Sequence, residues 1–120
     1  MKTSNLGKIS ESLVANLLQK ENFIILEQNY KKFFGEIDII AKKDNVITFV
    51  EVKARNNPRV SMFELISLAK QKKIILVAKE YIAKQQLTHI TYRFDVALVE
   101  YKNNTQQVSY ITNAFYEGRM

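Results

Sequence analysis

The sequence predicts an α/β fold in which a mixed central sheet of about five strands is flanked by two main helices. Apolar residues recur at helical spacing in two segments, and they alternate or run continuously in five shorter ones. The segments follow the order α-β-β-β-α-β-β, which suits helices packed on a sheet. At 120 residues the chain has the length of one domain, which we take as residues 1–120.

The first helix is predicted over Asn5–Asn22. Its apolar positions cover about half of the helix circumference: Ile9, Leu13, Val14, Leu17 and Leu18. Glu11 lies just past the edge of that arc, so its carboxylate would face the margin of the core. The helix dipole alone also favours a glutamate in a first turn. Glu11 therefore identifies no site by itself.

A strand is predicted over Phe23–Tyr30, and the segment Lys31–Phe34 after it carries two lysines and two phenylalanines. Such a segment can act as a phosphate clamp whose rings stack on bases. Phenylalanines belong more often to the core, and we predict this for Phe33 and Phe34.

The stretch Gly35–Arg55 is predicted as a hairpin of two strands, GEIDIIA and VITFVEVKAR. A two-residue turn at Asp44 and Asn45 joins them. In that register three pairs face each other: Lys43 with Val46, Asp38 with Glu51, and Glu36 with Lys53. Alternation on the first strand gives one face Ile37, Ile39 and Ala41, and the other face Glu36, Asp38 and Ile40. A four-residue loop would shift the pairing by two residues and keep the acids on one face.

Two acidic side chains opposite each other destabilise a strand pair, so something must offset their repulsion. A divalent cation does so, because Mg²⁺ prefers oxygen ligands and is usually held by one or two carboxylates with waters and substrate phosphates. A salt-bridged pair with a solvated face is the structural alternative. Lys53 and Arg55 project from the same face as Glu51, where they can contact the same substrate. Spacing alone leaves both interpretations open.

The second helix is predicted to begin at Ser61 and to end near Lys84, after the break at Asn56-Asn57-Pro58. Ser61 and Glu64 match a capping box. The segment Lys70–Lys73 is polar. Within this segment Lys70 borders the apolar face of the helix and is a candidate phosphate contact. Lys73 is a second candidate contact to nucleic acid.

A second hairpin is predicted from Thr91–Tyr101 and Gln106–Thr112, with the turn at Lys102–Thr105. Asp95 could be catalytic, but we expect it to be a structural partner of Arg93.

The composition narrows the function classes. The chain has 18 Lys and Arg against 12 Asp and Glu, a net charge of +6 that favours polyanions such as nucleic acid. It has no cysteine and one histidine, which excludes disulfides, thiolate zinc sites and multi-histidine metal sites within one chain. No apolar run reaches the ~20 residues of a membrane span, and the N-terminus lacks a signal-peptide core. We expect a cytoplasmic protein without a membrane partner.

Several motifs carry a resemblance to a known family: GEID at Gly35–Asp38 followed by EVK at Glu51–Lys53, with GxxxE at Gly7–Glu11, Asn29-Tyr30, RFDV at Arg93–Val96 and NAF at Asn113–Phe115. GEID followed by FVEVK resembles the D…ExK signature of the PD-(D/E)xK nuclease superfamily. More narrowly, the chain resembles the YraN-type family of predicted endonucleases, which is similar to archaeal Holliday junction resolvases. It departs at Ser10 and Ser61, where that family usually has glycine.

The resemblance implies a restriction-endonuclease-like fold and a metal-dependent endonuclease acting on DNA, with branched or damaged DNA as candidate substrates. It implies Mg²⁺ or Mn²⁺ as the cofactor, held by Asp38 and Glu51, with Glu11 completing the acidic cluster and the Val52 carbonyl as a further candidate ligand. Lys53 would act on water or the reacting phosphate. The remaining implied roles are phosphate contacts at Lys70 and orientation of Lys53 by Glu36.

Two questions stay open from the sequence. One alternative function is a non-catalytic module that keeps the nuclease fold and only binds nucleic acid or another macromolecule. The second open question is the oligomeric state, because resolvase-like enzymes tend to work as homodimers and the sequence does not indicate an interface.

Overall fold

The computed structural model describes residues 3–55, 61 and 66–117, with side chains from Leu6 onward. The predicted fold class and element order are confirmed: the described residues form one five-stranded mixed sheet with two helices, in the order α-β-β-β-α-β-β. The elements are α1 (Thr3–Lys20), β1 (Ile24–Lys32), β2 (Gly35–Lys43), β3 (Val46–Arg55), α2 (Leu68–Lys84), β4 (Thr91–Lys102) and β5 (Thr105–Phe115).

The strands follow one another across the sheet in chain order. Among the strands that the structure describes, only β3 and β4 pair in parallel, and the connection between them carries α2, as is usual for a parallel crossover. The hairpin turn is confirmed at Asp44-Asn45: Lys43 pairs with Val46, and Asp44 has a φ of 55°.

The two helices cover opposite faces of the sheet. Val14, Ala15 and Leu18 of α1 pack in one cluster with apolar residues of β2, β3 and β4. The other cluster contains the buried side of α2 and is rich in aromatic residues, among them Phe49 and Phe94. No helix in the described ranges is both long and apolar enough to cross a bilayer.

The alternation predicted for β2 is wrong at Ile37. Ile39 packs in the α1 cluster as expected, but Ile37 packs in the α2 cluster. The physical reason lies at Asp38 between them: the β2–β3 ladder ends at Ile39 paired with Val50, so β2 leaves β3 from that point on.

The start predicted for the second helix is also wrong. The helix begins at Leu68, because Ser67 has an extended backbone (φ −69°, ψ 165°) and its side chain accepts a hydrogen bond from the Lys70 N–H. Ser61 lies outside regular structure, and Glu64 lies outside the described residues.

The core prediction holds for only one of the two phenylalanines after β1. Phe34 packs against the α2 cluster, whereas Phe33 is fully exposed. The two rings occupy the β1–β2 turn, where successive side chains point in different directions, so one ring is buried and the other is not.

Candidate active site

The candidate active site is a cleft of about 600 Å³ between the N-terminal half of α1 and the first turns of α2. It opens where β2 and β3 separate. Seven of the eight residues predicted for the site line it: Glu11, Glu36, Asp38, Glu51, Lys53, Lys70 and Lys73.

The Asp38 side chain lies between β2 and β3 where the two strands separate. Asp38 Oδ2 accepts a hydrogen bond of 2.8 Å from the backbone N–H of Val52. This bond satisfies a donor in the stretch of β3 where the β2–β3 ladder has ended. Asp38 is thereby fixed with its carboxylate between the strands.

Asp38 and Glu51 form the buried acidic pair that the hairpin register predicts. Their exposed fractions are 8% and 4%, and their carboxyl groups are hydrogen-bonded to each other. Burial is the largest of the effects that together raise the pKa of Asp38 to about 8, and the hydrogen bond and negative charge of Glu51 act in the same direction. Asp38 is consequently protonated at neutral pH, so the two carboxyl groups share one proton.

Two lysines neutralise the charge that remains on Glu51. Lys70 Nζ lies 2.9 Å from Glu51 Oε2, and Lys53 Nζ lies 3.6 Å from the same oxygen. Burial and the neighbouring charge of Lys70 lower the pKa of Lys53. Burial also opposes the charge of Lys70, but its contacts with Lys53 and Glu51 outweigh this and raise the pKa of Lys70.

Glu11 faces the same cleft from α1. Burial raises the pKa of Glu11 and the negative charges of Glu36 and Glu51 add to the effect, whereas a hydrogen bond from the Asn29 side chain opposes it. In the described part of the chain no group of three or more Asp, Glu, His or Cys side chains is placed to hold a metal ion together. Glu11 therefore lies near the acidic pair without joining it in a three-residue cluster.

The donor set still fits Mg²⁺ or Mn²⁺. The buried pair Asp38–Glu51 offers hard oxygen atoms, and one or two carboxylates are the usual protein contribution to a Mg²⁺ site. A divalent cation would also replace the shared proton, since it favours two ionised carboxylates over one.

One predicted contact, between Glu36 and Lys53, differs in the structure. Glu36 lines the cleft, but the carboxylate that contacts Lys53 is that of Glu51. The cause is the early end of the β2–β3 ladder, which removes the register that placed Glu36 opposite Lys53.

Arg55 is the predicted site residue that does not line the cleft. It pairs with Glu100 on β4, with Arg55 Nε 3.5 Å from Glu100 Oε2. Since β3 and β4 run in parallel with these residues in register, the ion pair follows from the sheet itself.

Asp95 has the structural role that we expected. Its carboxylate is fully buried and accepts hydrogen bonds from Arg93 Nε, the Tyr110 hydroxyl (2.6 Å) and the Asn113 N–H (3.0 Å). Burial and the bond to Asp95 raise the pKa of Tyr110. A second cleft, of about 650 Å³, lies beside this network and is lined by apolar and charged residues, many of them from α1 and β5.

Sequence reasoning gave Asn29 no role. Asn29 adopts a left-handed backbone conformation (φ 54°), which asparagine tolerates better than most residues, and its side chain bonds Glu11. The signal available in the sequence was the Asn29-Tyr30 pair within a predicted strand, where asparagine is otherwise disfavoured.

The seven predicted residues that line the cleft lie within a region that matches a known protein family. The chain matches the family described as "Uncharacterised protein family UPF0102" over residues 10–99. It is 41% identical over 111 residues to a UPF0102 protein of Desulforapulum autotrophicum, covering 92% of each chain. It is 39% identical over 118 residues to one of Dictyoglomus turgidum, covering 96% of this chain and 100% of the relative. A third, from Clostridioides difficile, is 41% identical over 116 residues, with 96% and 100% coverage.

Proposed function

The chain belongs to the uncharacterised protein family UPF0102, and we propose that it is a metal-dependent endonuclease that hydrolyses phosphodiester bonds in DNA. The observation that carries this proposal is the buried pair Asp38–Glu51, flanked by the ammonium groups of Lys53 and Lys70 at the floor of an open cleft.

Asp38 and Glu51 would hold Mg²⁺ or Mn²⁺. When bound, such an ion polarises a phosphoryl oxygen and lowers the pKa of its bound water. The shared proton of the pair must leave when the ion binds. The hydrogen bond from Val52 N–H keeps Asp38 in place, so the site is pre-organised rather than assembled on binding.

Lys53 is the residue that we assign to the reacting water or phosphate. Its lowered pKa makes the neutral amine more accessible than in an ordinary lysine, and a neutral amine can take a proton from water. In its charged form it stabilises the negative charge that grows on the phosphate.

Lys70 is the phosphate contact in this proposal. Its ion pair with Glu51 keeps it charged, and it reaches the cleft from the first turn of α2. Lys73, one turn further along the helix, extends the positive lining of the cleft. Glu11, held by Asn29, would orient water at the edge of the acidic pair.

Cleavage of a DNA panel with Mg²⁺ or Mn²⁺ tests the proposal. Linear, flapped and four-way substrates are incubated with the wild type and with Lys53→Ala, which should abolish cleavage. Lys53→Arg separates the two roles of the amine, because arginine keeps the charge but does not release a proton. Lys72→Ala is the matched control, since Lys72 is exposed on α2 and does not line the cleft.

Metal binding is tested independently by calorimetry. Mn²⁺ should bind the wild type, and Asp38→Ala should weaken that binding at least tenfold. Equal affinity in both proteins would refute the assignment of Asp38 as a ligand.

One observation favours a second candidate function, a module that binds nucleic acid without cutting it. Lys70 and Lys53 already neutralise Glu51, and the described residues hold no three-ligand cluster. DNA binding with no cleavage of any substrate in the panel, in either metal, would establish this alternative.

A further inference from the structure

Phe33 is a fully exposed aromatic ring in a turn that would suit polar residues. Its neighbour Phe34 packs against the core, and the two ring centroids are 5.0 Å apart in an edge-to-face arrangement. Phe34 thus anchors the turn in the fold, and Phe33 points its ring into solvent.

The β1–β2 turn is held against α2. Glu80 of α2 accepts a hydrogen bond of 2.5 Å from the Tyr30 hydroxyl and pairs with Lys32 at 3.3 Å. Gly35 lies so close to the helix that a Cβ there would be 3.3 Å from Lys73 Cβ. The exposed ring is therefore presented from a fixed position, which lowers the entropy lost when it binds a partner.

Phe33 lies two residues before Gly35, which lines the candidate active site. Gly35 and Glu36 line the cleft, and two residues of chain place Phe33 within about 7 Å of that lining. Lys31 is exposed on the same hairpin, and Lys73 lines the cleft beside Gly35. An exposed ring, with one lysine on the same hairpin and another in the lining of the neighbouring cleft, matches the combination that binds single-stranded nucleic acid, in which lysines contact phosphates and rings stack on bases.

We infer that Phe33 stacks on an unpaired base next to the cleft, which makes DNA with unpaired bases beside a duplex the preferred substrate class. This inference rests on the proposed nuclease function and specifies its substrate. In a continuous duplex both faces of each base are covered by neighbouring bases, so a side chain can stack only where the duplex is splayed, flapped or broken. The lysines contact phosphates in single-stranded and in duplex DNA alike. Phe33 therefore distinguishes DNA with unpaired bases from a continuous duplex.

A single tryptophan reports on this contact directly, because the chain contains no tryptophan. In Phe33→Trp the indole should stack on the base, and a splayed-arm DNA without metal should quench its emission. The control is Ile24→Trp, at an exposed side chain where β1 begins, whereas Phe33 lies in the turn after β1 ends. The two positions are separated by nine residues, about 30 Å along a strand. The control emission should not change.

Binding measurements supply the second test. Fluorescence anisotropy in EDTA compares splayed-arm DNA with a continuous duplex of the same length. Phe33→Ala should weaken binding to splayed-arm DNA by about fivefold to a hundredfold and leave the duplex affinity unchanged. Lys31→Ala should weaken binding to both substrates by a similar factor, because it removes a phosphate contact.

The outcomes separate this inference from the proposed function. If Phe33→Ala keeps the wild-type preference for splayed-arm DNA over duplex and cleavage still depends on Lys53, the stacking role is overturned and the proposed nuclease function stands. Wild-type protein that is dimeric by sedimentation and becomes monomeric in Phe33→Ala, with DNA binding unaltered, assigns the ring to a second copy of the chain and also overturns the inference. A protein that neither binds nor cleaves DNA refutes both.

Discussion

Replacing Asp38 by asparagine should make the metal-free protein more stable. Asp38 is buried beside Glu51 and holds a proton at neutral pH. Asparagine has nearly the same shape as a protonated aspartic acid. Its oxygen can accept the Val52 N–H bond, and its amide can donate to Glu51. The variant therefore keeps the contacts of the site and removes the need to take up a proton on folding.

The size of the gain follows from the raised pKa. The pKa of Asp38 is 3.8 when unperturbed and about 8 in the folded protein. At pH 7 the Asp38 side chain is ionised in the unfolded chain and protonated in the folded protein. The free energy that folding loses by taking up this proton corresponds to roughly three pH units, or about 4 kcal/mol at about 1.4 kcal/mol per unit. This is an upper limit, because a buried pair relaxes when its charge changes. We expect a gain of about 1–4 kcal/mol in the free energy of unfolding.

The pH dependence gives the sign of the effect. A carboxyl group whose folded pKa is raised contributes stability that is fully present below its unfolded pKa, 3.8, and is lost as the pH rises through the folded pKa, about 8. The stability difference between Asp38→Asn and the wild type should be small near pH 4, grow with pH, and level off above pH 8. Comparing two proteins at each pH cancels the titration of the groups they share.

The assay is urea unfolding in EDTA between pH 4 and pH 9, followed by circular dichroism. Asp95→Asn is the matched control: Asp95 is also a buried aspartate of the same sheet, but it accepts bonds from Arg93, Tyr110 and Asn113. That variant should lose stability. A loss of stability in Asp38→Asn at pH 7 to 8, or a difference from wild type that does not vary with pH, would refute the reasoning. Added Mn²⁺ should stabilise the wild type and not Asp38→Asn.

Three further predictions follow from other contacts. DNA affinity should fall at least a hundredfold between 50 and 200 mM salt, as expected for about four phosphate contacts, and a flat dependence in anisotropy titrations would contradict a phosphate-led interface. Tyr110→Phe should cost about 1–3 kcal/mol in urea unfolding, because it removes a 2.6 Å bond to the buried Asp95 carboxylate; an unchanged midpoint would show that water replaces the hydroxyl. Gly35→Ala should lower the melting temperature by a few degrees, since its methyl group would lie 3.2 Å from Val77 Cγ2; an unchanged melting temperature would mean that the turn shifts freely against α2.

The sequence was sufficient for the element order and the hairpin register because both are local properties. Alternation marks each strand, and the two-residue turn at Asp44 fixes which residues face each other. The acidic pair Asp38–Glu51 follows from that register. Its position in a cleft with Lys70 does not, since Lys70 comes from a helix on the other side of a crossover.

Two of the errors, at Ile37 and at Lys53, have a common physical cause, which is that pairing in a sheet can stop before a strand ends. β2 continues to Gly35 by pairing with β1, while its ladder with β3 ends at Ile39. Periodicity in the sequence reports that a segment is extended but not which neighbour it pairs with. For this reason the face of Ile37 and the partner of Lys53 were predicted wrongly.

A comparison of the two buried aspartates of the sheet supports the proposal that the acidic pair binds a cation. Around Asp95 the chain supplies Arg93, a hydroxyl and a backbone N–H, so this carboxylate is satisfied within the protein. Asp38 has one backbone donor and lies beside another acid, which raises its pKa and makes the folded protein less stable at neutral pH. The same sheet can thus satisfy a buried carboxylate fully, and at Asp38 it does not. A partner that favours two ionised carboxylates would remove this cost, and a divalent cation is the partner whose chemistry fits.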